Sequence, residues 1–220
     1  MVNAWTVQPG GFVADRDGVR LVLPASALPK FRSIVSYLQT LIDDNARRTG
    51  VPAAWIAGIV WAETGFLGAA GGHSDAAVSP AGAVGRMQLM PFWFLSPTAI
   101  GDGKPHTRDE MTHNDALNMR FGTDLLNLIR KDGNELPAAA SIYNCGSTTN
   151  GHPWRPKPMA SNHFQLCAEG NYIETVVAAH NSYLLDHRTT ANGSGPTLGG
   201  VVAALGLGAA SLVVADRLLR

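Results

Sequence analysis

Cysteines and charged residues are scarce in this chain of 220 residues, and each scarcity excludes a class of protein. The two cysteines, Cys145 and Cys167, are too few for a disulfide-rich scaffold or a four-cysteine zinc site. The 17 basic and 17 acidic residues cancel, so the chain lacks the basic surface typical of a nucleic-acid-binding protein. Its seven histidines show no metal-ligating spacing, so the sequence predicts no metal site.

The first residues also lack a basic segment followed by an apolar one, the pattern of a cleavable secretory signal. We therefore expect any export to use another route. Instead, Phe12-Val13 and the apolar residues 19–23 flank the turn dipeptide Asp17-Gly18, which predicts a small hairpin. We interpret residues 1–28 as an N-terminal extension.

Apolar residues at helical spacing predict a mainly α-helical domain over residues 29–188. The helical patterns cover residues 31–42, 56–63, 117–128, 137–143 and 172–184. Segments rich in Gly, Pro, Ser or Asn separate them and predict loops at residues 65–85, 96–113 and 146–170. Gly50 is expected to end the first helix, and Pro52 to begin the second.

A long uncharged run, from residue 189 through residue 215, follows this domain. Residues 189–197 predict a flexible linker. Residues 198–215 are apolar or weakly polar, and as a helix they would span about 27 Å, close to the roughly 30 Å hydrocarbon core of a bilayer. We expect the hydrophobic tail, residues 198–220, to be a helix that associates with a membrane or a partner; a helix docked on the domain and a disordered end are the alternatives.

Glu63 lies on the apolar face of the second predicted helix, in register with Ile56, Ile59 and Val60. A carboxylate at this position is partly desolvated and lies near the end of a helix, where the macrodipole disfavours negative charge. Both effects raise the pKa of the carboxyl group. Glu63 therefore meets the requirement for a general acid near neutral pH, although a helix-end acid taken alone is more often solvent-facing.

Four sequence blocks occur in a fixed order: Glu63-Thr64-Gly65, SPAGAVGRMQLMP at 79–91, ASIYNCG at 140–146, and Asn171-Tyr172-Ile173. Together they resemble the lysozyme-like lytic transglycosylases of the soluble lytic transglycosylase (SLT) type, which are related in fold to goose-type lysozyme. The resemblance covers about residues 31–187 and implies a groove between helical lobes. It implies cleavage of the β-1,4 bond between N-acetylmuramic acid and N-acetylglucosamine in peptidoglycan, with 1,6-anhydro ends and no cofactor.

The resemblance also implies roles for individual residues. Glu63 is expected to be the general acid and then the base. The residues expected to bind the glycan are Ser79, Gly85, Met87, Gln88, Met90, Tyr143, Asn144 and Tyr172. Within this set, Tyr143 is expected to reach the catalytic carboxylate or the adjacent sugar, Asn144 to order its loop, and Tyr172 to form an aromatic wall. For Met87, Met90 and Tyr172, a position in the hydrophobic core is as compatible with the sequence as a position in the groove wall. Asn118 and Gly122 match structural positions of the family.

Three features depart from the family pattern. Thr64 follows the acid where Ser is usual, which keeps a hydroxyl group. Arg86 replaces the usual Leu, and we expect its charge either to be solvated beside the groove or to contact a peptide-stem carboxylate. Residues 71–75 lengthen the loop after the acid and bring in Asp75.

Other interpretations remain open at this point. Asp75 is either a solvated loop residue or a second carboxylate that activates water, in which case the protein is a muramidase using Glu63 and Asp75. A catalytically weak wall-binding or virion structural protein is a further alternative. Cys145 and Cys167 are compatible with a disulfide or with two free thiols. The absent signal and the tail together predict delivery to the envelope, at the periplasmic side of the wall, by a phage particle or a secretion apparatus.

Overall fold

The computed structural model describes residues 5–8, 11–14, 20–65, 78–79, 81–96, 100–145 and 172–191. Asp75, Cys167 and the hydrophobic tail lie outside the described residues, as does the side chain of Cys145. The interpretations of these residues given above therefore stay predictions.

The described part is mainly α-helical, which confirms the predicted fold class. Its α-helices are α1 Leu28–Thr49, α2 Ala53–Val60, α3 Arg108–His113, α4 Asp115–Lys131, α5 Leu136–Cys145 and α6 Tyr172–Ala191. A π-helical turn, Trp61–Gly65, continues α2, and a 3-10 turn spans Pro91–Trp93. Helix α6 extends through residue 191, into the segment predicted as a linker.

A small N-terminal hairpin is present, but the predicted position was wrong. Strand β1 Trp5–Gln8 pairs antiparallel with β2 Gly11–Ala14, so the partner of residues 11–14 precedes them in the chain and is not residues 19–23. Residues 21–23, predicted as strand, are buried against α6 instead. The Leu23 N–H donates to Ser182 Oγ over 3.0 Å, and Asn181 Nδ2 donates to the Leu21 carbonyl over 2.8 Å. These backbone groups bond to helix side chains rather than to another strand.

Helix ends follow local chemistry. As predicted, α1 stops at Gly50, whose left-handed φ of 73° lets its N–H donate to the Ala46 carbonyl. The prediction of a loop over residues 96–113 was wrong at its end, because α3 occupies its last six residues. Thr107 and Glu110 form a reciprocal capping box there, in which each side chain accepts from the backbone N–H of the other residue.

Helix α2 is the centre of the domain and places the π-helical turn. Residues 54–60 are all buried, as expected for a helix that is apolar on every side. It packs against α1 and α6, while α4 packs against α1 and α5, and α5 against α6. Of the helices described, none is both long and apolar enough to cross a bilayer.

Candidate active site

Glu63 lies in the π-helical turn at the end of α2, rather than in a regular α-helix. Such wide turns re-aim side chains and are frequent at functional sites. The adjoining Trp61 and Ala62 are buried, and Glu63 itself is partly buried. The Thr64 hydroxyl donates to the Val60 carbonyl over 2.8 Å, where the α-helix gives way to the wider turn. The hydroxyl retained at position 64 therefore bonds to its own backbone.

The Glu63 carboxyl group has a strongly altered acidity. Desolvation raises its pKa to about 7, and a hydrogen bond from Tyr172 offsets part of the rise. In this bond the Tyr172 hydroxyl donates to Glu63 Oε1 over 2.5 Å. Tyr172 begins α6, so the packing of α6 on α2 and the π-helical turn brings the two residues together. With a pKa in this range, the carboxyl can both give and take a proton near neutral pH.

Tyr143, on α5, lies near this acid and bonds to the second sequence block. Its hydroxyl donates to the Met87 carbonyl over 2.8 Å. Burial, and then the charge of nearby Glu63, hold the pKa of Tyr143 well above its usual value. The phenol therefore stays protonated and remains a hydrogen-bond donor.

The second block forms a compact turn over residues 78–89, of which all but residue 80 are described. Isolated bridges pair Val84 with both Val78 and Leu89. Ser79 Oγ accepts from the Ala83 N–H over 3.0 Å, and Gln88 Nε2 donates to the Gly85 carbonyl over 2.9 Å. Gln88 is the non-glycine residue with positive φ among those described, at 44°. The 78–89 turn therefore holds Gln88 in a backbone conformation that residues other than glycine seldom adopt.

Asn118 on α4 fastens the 78–89 turn and has the structural role predicted for it. The side chain is fully buried. Its Nδ2 donates to the carbonyls of Val84 and Met111 over 2.9 and 3.1 Å, and its Oδ1 accepts from the Met87 N–H over 2.8 Å. Gly85 passes so close that a Cβ there would lie 2.3 Å from Asn118 Nδ2. Its φ of 74° also favours glycine.

Met87 is buried in the core, one of the two positions that the sequence allowed for it. The residue is fully buried and packs on Gly122 of α4, where an added Cβ would lie 2.5 Å from the Met87 sulfur and 2.9 Å from the Tyr143 hydroxyl oxygen. The core position, which the sequence also allowed, is the one observed. Met87 therefore anchors the 78–89 turn on α4.

Arg86 is neither solvated nor free to contact a substrate carboxylate, so both expectations for it were wrong. Its side chain is 2% exposed, and its Nε donates to Asp115 Oδ1 over 2.9 Å at the start of α4. The carboxylate of this chain's own Asp115 satisfies the charge that we expected solvent or substrate to meet. Asp115 lies 29 residues from Arg86 along the chain, and no local sequence signal links the two residues.

The structure therefore joins Glu63 to Tyr172 by a hydrogen bond and places Tyr143 close enough to feel the Glu63 charge. Of these three residues, Tyr143 is the one that bonds to the 78–89 turn, through the Met87 carbonyl. Met90 is partly buried against the core, and Asn144 is exposed at the end of α5. Within the described residues, no three His, Cys, Asp or Glu side chains are grouped so that they could hold a metal ion.

A comparison with sequence models of protein families matches residues 40–161, more than half of the chain, to the transglycosylase SLT domain. The chain therefore belongs to the SLT transglycosylase family, as its sequence blocks predicted. Members of this family are lytic transglycosylases acting on peptidoglycan, enzymes of the lyase type. No curated protein matches the chain.

Proposed function

We propose that this protein cleaves the β-1,4 bond between N-acetylmuramic acid and N-acetylglucosamine and leaves 1,6-anhydro ends. The observation that carries the proposal is the Glu63 carboxyl, whose pKa of about 7 allows one group to act as acid and then as base. The family match supports the substrate, peptidoglycan, in general terms.

In the proposed reaction, the Glu63 carboxyl first gives its proton to the glycosidic oxygen as the bond between that oxygen and the anomeric carbon breaks. The resulting carboxylate then takes the proton of the muramic C6 hydroxyl. The C6 oxygen attacks the anomeric carbon and closes the anhydro ring. Glu63 ends protonated, no water is consumed, and no second carboxylate is needed.

The other side chains of the site are assigned supporting roles. The Tyr172 hydroxyl holds Glu63 Oε1 and stabilises the carboxylate formed midway. Tyr143 fixes the 78–89 turn through the Met87 carbonyl. We assign hydrogen bonds to sugar hydroxyl or acetamido groups to Ser79, Gln88 and Asn144, and apolar sugar contact to Met90.

The test is digestion of purified peptidoglycan by the full chain, followed by mass spectrometry of the released muropeptides. We expect anhydro products, about 18 Da lighter than hydrolysed ones because no water is added. Glu63→Gln keeps the shape of the side chain but cannot transfer a proton, so its release of anhydro products should be lowered by about 10²–10⁴-fold.

Two results would overturn the proposal. Reducing ends would identify a muramidase and make Asp75→Asn the next variant to measure. Wall binding without Glu63-dependent release would instead identify a binding or virion structural protein.

For location, we propose that the protein acts at the cell envelope or in a phage or secretion particle that reaches it, with residues 198–220 as the attachment segment. Support comes from the apolar character of residues 198–215. Flotation with phospholipid vesicles tests membrane attachment: the full chain should float, and Leu207→Lys should not. Thr197→Lys, just before the apolar run, is the matched control. A full chain that stays in the dense fraction would exclude membrane attachment.

A further inference from the structure

Arg86 is a buried cation inside the 78–89 turn, between Gly85 and Met87. Its side chain is 2% exposed, and that of Asp115 is 13% exposed. The guanidinium carbon also lies 5.6 Å from the centre of the Tyr37 ring on α1. One side chain therefore connects the 78–89 turn with the beginning of α4 and with α1.

A buried guanidinium is expensive to desolvate, and removal of its partner leaves an uncompensated charge. Asp115 is well placed as that partner, because it lies in the first turn of α4, where the helix dipole favours a negative charge. An apolar side chain at position 86 would need no such partner. In this chain the packing of the turn is therefore coupled to an ion pair.

The backbone of the 78–89 turn is strained at Gln88, two residues after Arg86. Gln88 has a φ of 44°, and Gly85 has a φ of 74°. A residue other than glycine in the left-handed region is destabilised and persists only where its surroundings fix it. Asn118 fixes the backbone at Val84 and Met87, and the Arg86–Asp115 pair fixes the residue between Gly85 and Met87.

We infer that Arg86 and Asp115 are a positioning pair for the glycan-binding turn: they hold it on α4 so that Gln88 keeps the left-handed conformation in which its side chain meets the sugar. The inference rests on the proposed function, which assigns Gln88 to the glycan. Neither Arg86 nor Asp115 contacts the substrate, so the pair affects glycan affinity and leaves the acidity of Glu63 unchanged.

The experiment measures the Kd of soluble, uncross-linked peptidoglycan strands for the full chain carrying Glu63→Gln, so that cleavage is strongly slowed. We expect Arg86→Leu to raise the Kd about fivefold and Asp115→Asn about tenfold, because the second removes the carboxylate that faces the more deeply buried charge. The double variant should raise the Kd by less than the product of the two single effects, since it leaves no ion without a partner.

Arg48→Leu is the matched control. Arg48 also joins α1 to α4, through Asp124, but lies away from the 78–89 turn. It should lower the Tm and leave the Kd unchanged. On the active background, Arg86→Leu should raise KM more than it lowers kcat and should not move the midpoint of the pH profile.

Folded variants with lower Tm and wild-type Kd would overturn the inference, because the pair would then be merely structural. If the Leu and Asn variants do not fold, Arg86→Lys decides. It keeps the charge and loses the forked geometry, so we expect a raised Kd, and an unchanged Kd would overturn the inference. Failure of the proposed function is seen separately, as wild-type protein that releases no anhydro muropeptides.

Discussion

Glu63 and the 78–89 turn are parts of one site, yet opposite kinds of interaction hold them. At Glu63 the decisive effect is removal of water: burial raises the pKa of the carboxyl, and the Tyr172 hydroxyl restores only part of the lost solvation. In the 78–89 turn, polar groups are buried but paired, through Asn118 and through Arg86 with Asp115.

The two regions therefore have different roles: Glu63 transfers protons, and the 78–89 turn keeps a fixed backbone conformation. An incompletely compensated carboxyl gains a pKa suited to proton transfer, at the expense of stability when it ionises. Compensated polar groups instead fix a backbone that apolar packing alone would leave free to relax. Changes near Glu63 should therefore alter rate and pH dependence, while changes around the 78–89 turn should alter stability and glycan affinity.

The largest expected effect is on the rate, at the acid itself. Glu63→Gln should lower anhydro-muropeptide release by about 10²–10⁴-fold, because the side chain no longer transfers a proton. Glycan affinity should persist, since the 78–89 turn is untouched. A variant with more than a tenth of wild-type activity would show that another group supplies the proton.

The same variant should change how stability depends on pH. In the folded protein the pKa of Glu63 is raised from 4.5 to about 7, so the folded state binds the proton more tightly than the unfolded state. The associated stability is fully present below pH 4.5 and is lost as pH rises to about 7. Relative to wild type, Glu63→Gln should therefore gain about 2–3 kcal/mol in free energy of unfolding between pH 4 and pH 8. Urea titration at both pH values measures this gain, and a difference that does not vary with pH would contradict the account.

Among changes around the 78–89 turn, Asn118→Ala should have the largest effect on stability. It leaves two buried carbonyls and one N–H without their partner, and we expect a loss of about 3–5 kcal/mol in free energy of unfolding. Asn127→Ala, on the partly exposed side of the same helix, is the control and should cost less than about 1 kcal/mol. Equal losses in urea denaturation would show that Asn118 does not fasten the turn.

Gly122→Ala tests the close approach beneath the 78–89 turn. The added methyl group overlaps the Met87 sulfur and the Tyr143 hydroxyl, and overpacking of this kind costs about 1–3 kcal/mol. The Tm should fall and the Kd for the glycan should rise. An unchanged or raised Tm, as alanine's higher helix propensity alone would give, would contradict the packing described here.

The smallest effect is expected for Tyr172→Phe. The lost hydrogen bond favoured the ionised carboxylate, so the pKa of Glu63 should rise above about 7 and the alkaline limb of the kcat/KM profile should move to higher pH. The maximal rate should fall by roughly fivefold. Tyr183→Phe, farther along α6, serves as the control and should leave the profile in place. A shift of the alkaline limb to lower pH would reverse the assigned sign.

Local sequence signals predicted most of the helices and the acid. Apolar spacing located α1, α4 and α6, and it placed Glu63 on a buried face with a raised pKa. The capping box at Thr107 and Glu110 also has a local sequence signature, a Thr followed three residues later by a Glu. The N-terminal hairpin was placed at the wrong turn dipeptide, because residues 21–23 are apolar for packing on α6 and not for strand pairing.

Features that depend on distant residues were not predictable. A charged side chain in a polar-looking turn suggests solvent, and only the fold shows that Asp115 lies 2.9 Å from Arg86. Likewise, periodicity cannot distinguish a π-helical turn from the end of an α-helix, and it cannot say which tyrosine reaches the carboxylate. The helix packing of α6 gives that bond to Tyr172, while Tyr143 bonds to the Met87 carbonyl.

The central claim is that burial raises the pKa of the Glu63 carboxyl and so allows it to transfer protons near neutral pH. It is tested most directly by NMR titration of the full chain with carbon-13 at the glutamate carboxyl groups, using Glu63→Gln to assign the resonance. We predict a midpoint near pH 7 for Glu63. A midpoint near pH 4.5, the ordinary value for a glutamate, would show that the carboxyl is solvated and would contradict the account.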